Sequence, residues 1–146
     1  MDTQKTDNFT VKEIIIASLI ILTLGALAVP HSRDTIETMR AEEAVEIMTT
    51  IIRKILVYSY DNQKNAPESL TGLIDRLPQL ETFDVPAYQT KMIEDKRVGF
   101  VEIKRKSGLY RLTYNNKDVE EIFCYYKPGV KTCKKLGPLV TAVEEN

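Results

Sequence analysis

Phe9-Thr10-Val11-Lys12-Glu13 leads into Ile14-Ile15-Ile16-Ala17-Ser18-Leu19-Ile20-Ile21-Leu22-Thr23-Leu24-Gly25-Ala26-Leu27-Ala28-Val29, a run without a charge, and Pro30 closes it. A helix needs roughly 20 apolar residues to cross a bilayer, so the run is a short span, extended by Phe9 to Val11 and interrupted by Lys12 and Glu13. A carboxylate inside a membrane costs about 3 kcal/mol or more and is seldom left there without a partner. Glu13, at the mouth of the run, is therefore a candidate functional residue.

Beyond Pro30 the pattern changes. Ile36, Met39, Ala44, Ile47, Met48, Ile51, Ile52 and Ile55 recur at steps of three and four, the stripe of an amphipathic helix. Glu37, Arg40, Glu42, Glu43, Glu46, Arg53 and Lys54 fall mostly on the other side. No Gly or Pro breaks Ser32 to Tyr60. A helix over Phe9 to Tyr60 would be roughly 78 Å long at 1.5 Å per residue. Pro30 removes one backbone donor and predicts a kink near it, and Gly25 weakens the helix a little upstream. Asp61 to Asn65 is a polar loop, and Pro67-Glu68-Ser69 opens a short helix with Leu70, Leu73, Ile74 and Leu77 on one face. Residues 98–143 then read as an antiparallel sheet. Strands are expected over Val98 to Arg105, Leu109 to Tyr114, Glu120 to Tyr126, Val130 to Lys134 and Leu139 to Val143, separated by Lys106-Ser107-Gly108, Asn115 to Asp118 and Lys127-Pro128-Gly129. Such a sheet cannot bury its apolar face alone, and the amphipathic helix supplies the missing layer. The expected fold class is α+β.

Counting from Phe9, Glu13 falls fifth and Pro30 twenty-second. With the aromatic at the front, this spacing resembles the N-terminus of type IV pilins and of the pseudopilins of type II secretion systems. The resemblance implies three segments: a leader over 1–8, a membrane and fibre-core helix half over 9–30, and a periplasmic or extracellular head over 31–146. It implies cleavage between Asn8 and Phe9 by a prepilin peptidase, with N-methylation of Phe9. It implies assembly through Phe9, Glu13 and Pro30 into a helical fibre of this chain or of co-assembling pilins, on an inner-membrane assembly platform. The protein would be a single-pass inner-membrane protein first, then part of a periplasmic pseudopilus or a cell-surface fibre. In the family the Glu pairs with the terminal amine of a neighbouring subunit. Two other readings of the run stay open: a cleaved signal peptide with Ala26-Leu27-Ala28 as the cleavage site, or a plain anchor. Either would give a periplasmic or extracellular domain with a binding role.

Cys124 and Cys133 are the two cysteines of the chain. In an exported domain they read as a disulfide across the Lys127-Pro128-Gly129 turn; in a cytosolic protein they would be two thiols. Pilins commonly close a C-terminal loop in this way. With 20 basic and 21 acidic side chains in 146 residues, no bulk charge points to nucleic acid, and loss of 1–8, with Lys5, Asp2 and Asp7, leaves 19 of each. Lys127, Lys131, Lys134 and Lys135 form a local basic cluster, read as a solvated face or, alternatively, as a contact for DNA or an anionic surface.

Nothing in the residues points to an enzyme. His31 is the single histidine, Glu42 and Glu43 point to different faces, and no phosphate-binding glycine loop is present. No cofactor is expected and no metal set can be matched. Asp118 with Glu120 and Glu121 is the one carboxylate group worth naming for calcium, which some pseudopilins bind.

Overall fold

The amphipathic stripe and the alternating segments are joined into one core. The computed structural model describes residues 11–74, 80–117 and 121–145, with the backbone alone over 27–31. The first helix, α1, spans Val11–Asp61, and Pro30 lies inside those bounds. Five strands follow: β1 (Ala87–Ile93), β2 (Lys96–Lys104), β3 (Tyr110–Asn115), β4 (Ile122–Tyr126) and β5 (Val140–Glu144), with a short helix, α2 (Thr132–Lys135), between the last two. The chain divides into two compact units, Met1–Thr35 and Ile36–Asn146. The class is α+β, as the patterns predict.

Within the second unit the sheet order is β1-β2-β3-β4-β5. Alternate residues of the central strands fill one face: Val101 and Ile103 on β2, Tyr110, Leu112 and Tyr114 on β3, Ile122, Cys124 and Tyr126 on β4. The register sets Ile103 beside Leu112 and Leu112 beside Cys124. Ala41, Ala44, Met48, Ile51, Ile52 and Ile55 of α1 belong to the same buried cluster. Burying a Met or Ile side chain contributes about 1.5–3 kcal/mol, and the two alanines less. The stripe is displaced from the expected one: Ile36 and Met39 are exposed, at 47% and 62%, and Ala41 takes the buried position. The opposite face of the sheet is not bare. Arg111 lies 5.1 Å from the Tyr125 ring and Lys91 5.7 Å from the Phe100 ring, so charged side chains cover aromatic ones with their stems.

Several expectations are corrected. The sheet is mixed rather than antiparallel, because β5 runs parallel to β4. A parallel return needs a crossover of about a dozen residues, and 127–139 supply it. The segment expected as a strand over Val130 to Lys134 is therefore part of that crossover and holds α2, not a strand. Cys133 accordingly sits on a helix rather than on a strand paired to that of Cys124. Residues 66–74 form turns instead of a helix: the amides of Leu73 and Ile74 both donate to the Leu70 carbonyl and no ladder follows within the described residues. The rest of that expected helix, through Leu77, lies outside the described residues.

The strand β1 was not signalled by pattern. It pairs with β2 through a two-residue turn, Ile93 facing Lys96, with Glu94 and Asp95 at φ 51° and 62°. Both central residues of such a turn need positive φ, which Asn-Gly usually supplies. Gly99 on β2 is required by close approach. A Cβ there would lie 2.7 Å from Tyr88 Oη, which donates to the Pro67 carbonyl at 2.6 Å. Burial raises the Tyr88 phenol to about 12, so this donor keeps its proton over the working range of pH.

The Cys124–Cys133 bridge is formed, with Cα atoms 5.7 Å apart, and both residues are buried. It ties β4 to the crossover that returns the chain to β5. Replacing both cysteines by serine should lower stability by about 2–4 kcal/mol through the freed loop and two buried hydroxyls. Non-reducing peptide mapping should find the two peptides linked in the native protein, and denaturant titration of the double variant measures the loss.

Candidate functional site

Two parts of α1 carry the chemistry, one in each unit. In the first unit the apolar run is helical and uncovered. Its large apolar residues from Val11 to Leu24 are between 52% and 73% exposed. Monomeric soluble proteins rarely leave a contiguous apolar surface larger than a few hundred Å². The polar atoms of the run are turned inward on the helix. Ser18 Oγ donates to the Ile14 carbonyl at 2.8 Å, and Thr23 Oγ1 lies 3.0 Å and 2.9 Å from the Leu19 and Ile20 carbonyls. A hydroxyl that donates to its own helix has no need of water, which suits an apolar surrounding. Glu13 stands in the first turn of α1. Among the described residues no helix is long and apolar enough to cross a membrane. The uncharged part that is described with side chains, Ile14 to Ala26, is roughly 20 Å long at 1.5 Å per residue, less than a hydrocarbon core of roughly 30 Å.

In the second unit Glu37 is the centre of a half-buried polar cluster. Its two carboxylate oxygens accept from Arg105 Nε at 2.6 Å and Arg105 Nη2 at 3.0 Å, a bidentate pair. Tyr110 Oη donates to it at 3.0 Å, and Arg40 Nη1 lies 3.6 Å away. Arg105 also donates to the Thr82 carbonyl and sits 5.4 Å from the Phe83 ring, which meets Tyr110 edge-on at 5.9 Å. One carboxylate thus joins α1 to the residues before β1, the end of β2 and the start of β3. The pair with Arg105 holds the Glu37 carboxyl below the usual carboxylate range, against the opposing effect of burial. Burial and the neighbouring Glu37 charge raise the Tyr110 phenol, so it stays a donor. The helical pattern groups Glu37 with the charges opposite the apolar stripe, whereas its side chain is in fact largely covered. The signal was available, because Glu37 precedes Ala41 by four residues and Ala44 by seven and so shares their stripe.

The structure brings together one expected pair, Cys124 with Cys133. Glu13 and the position of Pro30 fall on α1, while Asn8 and Phe9 lie outside the described residues, as do Asp118 and Glu120. Glu121 accepts from Thr141 Oγ1 at 3.1 Å, an in-chain role. In the basic cluster, Lys127 and Lys131 are exposed on the crossover, and Lys134 pairs with Glu144 at 3.8 Å beside the Tyr126 ring. Comparison of the chain with protein-family models, with curated proteins and with solved structures finds no match.

The Glu37 cluster predicts acid sensitivity of a definite sign. A carboxylate with a depressed folded pKa contributes stability that is complete above its unfolded value, near 4.5, and is lost as pH falls through the lower folded value. Glu37→Gln should lower stability by about 2 kcal/mol at pH 7, since Arg105 loses a charged partner. Between pH 5 and pH 2.5 the variant should lose less stability than the native protein does. Thermal unfolding followed across that range checks both statements, and equal acid slopes would count against the cluster.

Proposed function

We propose that this chain is a structural subunit of pilin or pseudopilin type, which polymerises through its N-terminal apolar helix. The observation that carries the reading is the exposed apolar run from Ile14 to Leu24, whose hydroxyls, on Ser18 and Thr23, are satisfied by carbonyls of their own helix. Such a surface is compatible with two surroundings, lipid and the apolar helices of other copies. The finer architecture belongs to the same proposal: a long N-terminal helix whose first half is a stem and whose second half carries a small sheet. The leader over 1–8, cleavage between Asn8 and Phe9, the peptidase and the inner-membrane platform follow from the resemblance. So does the passage from inner membrane to a fibre in the periplasm or at the cell surface.

Glu13 has a defined role in this reading. Its carboxylate pairs with the N-terminal amine of a neighbouring Phe9 inside an apolar fibre. Breaking a pair of that kind by removing one partner costs about 3–5 kcal/mol, or roughly 10²- to 4 × 10³-fold at each contact. Glu13→Val should therefore accumulate in the membrane as a folded subunit with its disulfide intact and form no fibre. Sheared fibre or secreted cargo, scored beside the membrane level of the subunit, reads the outcome. Wild-type assembly from this variant, or a mature chain whose intact mass begins at Val29 instead of an N-methylated Phe9, would overturn the proposal.

A further inference from the structure

Within the second unit α1 covers one face of the sheet, and the other face carries a hollow. There, alternate residues of β1, β2 and β3 stand in two neighbouring rows. Gln89, Phe100 and Asn115 form one row, and Ala87, Glu102 and Thr113 the other. Together with Lys91 they line a space of about 210 Å³. Its cause is local. Ala87 and Thr113 are short, and the Glu102 carboxylate is drawn toward the next row, where Lys104 Nζ lies at 3.2 Å and Arg111 Nη1 at 3.3 Å. The Phe100 ring is left half-buried beside the gap.

The groups around this hollow differ in what they already hold. Among the described residues the Gln89 amide and the Thr113 hydroxyl make no side-chain hydrogen bond. Each can both donate and accept. Asn115 Oδ1 accepts from the Lys117 amide at 3.2 Å, which fixes its side chain. Glu102 is compensated by its two cations, whereas Lys91 meets no carboxylate among the described residues and lies 5.7 Å from the Phe100 ring centre. The hollow therefore offers one aromatic face, neutral donors and acceptors, and one uncompensated positive charge. A nucleic-acid backbone asks for several uncompensated cations. A purely apolar ligand would cover Gln89 and Thr113 without replacing their bonds to water, which costs free energy. The volume is below the roughly 300 Å³ at which pockets for drug-sized ligands begin, so it takes a single ring unit. A sugar matches on each count. The negative face of an aromatic ring attracts the C–H hydrogens of a sugar's apolar side, and its hydroxyls suit an amide and a threonine.

We propose that this hollow on the outer sheet face binds one saccharide unit that carries a carboxylate. The sugar's apolar side stacks on Phe100, taking the place of the Lys91 stem. The Lys91 ammonium, on a flexible exposed side chain, turns to the sugar carboxylate. Gln89 and Thr113 bond the hydroxyls, and Asn115 closes the far side. A single open site of this size has an affinity of about a millimolar, since one ring and a few hydrogen bonds must offset the lost freedom of the ligand. The site needs neither the apolar run nor Glu13, so it stands apart from the polymer reading. Were the copies assembled, the repeated sites would act together on a glycan chain and hold it far more tightly.

The test uses the full chain in a detergent without a sugar headgroup, followed by NMR. The probes are the methyl glycosides of glucuronate, galacturonate and N-acetylneuraminate, with methyl glucoside and methyl galactoside as neutral counterparts. Acetate stands for the charge alone and a thymidine oligomer for nucleic acid. At least one acidic glycoside should shift the signals of Gln89, Thr113 and Asn115 in a saturable way, with a Kd of about a millimolar. The neutral sugars should bind the same residues about two- to fivefold more weakly, the share of one exposed ion pair. Phe100→Leu keeps an apolar side chain and removes the ring face, and should weaken binding about five- to tenfold. Lys91→Gln should erase the preference for acid over neutral sugar, whereas Lys127→Gln, on the crossover, should change nothing. An unchanged melting temperature and an intact disulfide exclude misfolding as the cause. No saturable shift at these residues from any acidic glycoside, an equal response to acetate, unweakened binding by Phe100→Leu, or tighter binding of the thymidine oligomer would overturn the inference. The assembly phenotype of Glu13→Val is read separately, so either proposal can fail without the other.

Discussion

The head depends on one constraint: a sheet with an apolar inner face must be covered, and α1 is the cover. The inner positions of β2, β3 and β4 are large, and the facing stripe begins with two alanines and grows to Met48, Ile51 and Ile55. Neither layer would be stable alone. A helix gains most of its stability in a protein from packing its apolar face, and a three-stranded meander needs a second layer. The order of the strands follows from this. Hairpin connections keep β1 to β4 antiparallel, and the chain can add a fifth strand in the other direction only by crossing over through residues 127–139. The disulfide stands at that crossover and ties its short helix to β4.

The Glu37 cluster solves a separate problem at the start of the cover. A stripe that enters the core with an ionisable residue must either expose it or satisfy it. Arg105 and Tyr110 satisfy it from two strands, and the Thr82 carbonyl takes a further guanidinium proton, so a residue next to the unit boundary is fixed to the far end of β2. Partly buried pairs of this kind add modest stability and considerable specificity of register. Slipping α1 by one residue would carry Glu37 round by about 100° and leave Arg105, 11% exposed, without its partner.

What sequence could reveal divides along local and non-local lines. The helical stripe, the strands β2, β3, β4 and β5 and the cysteine pair are legible because each is a short-range pattern. β1 escaped because its turn uses Glu94-Asp95 instead of Asn-Gly and its residues, such as Thr90 and Lys91, are polar for an edge position. The parallel direction of β5 escaped because nothing in Val140 to Glu144 distinguishes the two directions; the information lies in the length of the crossover. Ile36 and Met39 obey the helical period yet stay exposed, since periodicity says which residues share a face and not where the covered part of that face begins. For the candidate site, Glu13 and the exposed run are visible in composition. The role of Glu37 needed Arg105 and Tyr110, which lie 68 and 73 residues away in the chain.

The position of the core bears on how one protein could serve two surroundings. Every residue of the buried cluster lies at or after Ala41, and the first unit contributes none. The head's packing therefore does not require the run from Val11 to Ala26 to be in lipid, in a fibre or in any particular contact. The run, for its part, satisfies its own hydroxyls through Ile14, Leu19 and Ile20 and has no polar side chain between Ile14 and Ala26 that would need a new partner on transfer. Moving it from one apolar surrounding to another exchanges dispersion contacts of similar strength, so little free energy opposes the move. Glu13 is the exception. It stands in the first turn of α1 beside Lys12, so the charge of this segment is concentrated at its front end and the apolar run behind it carries none.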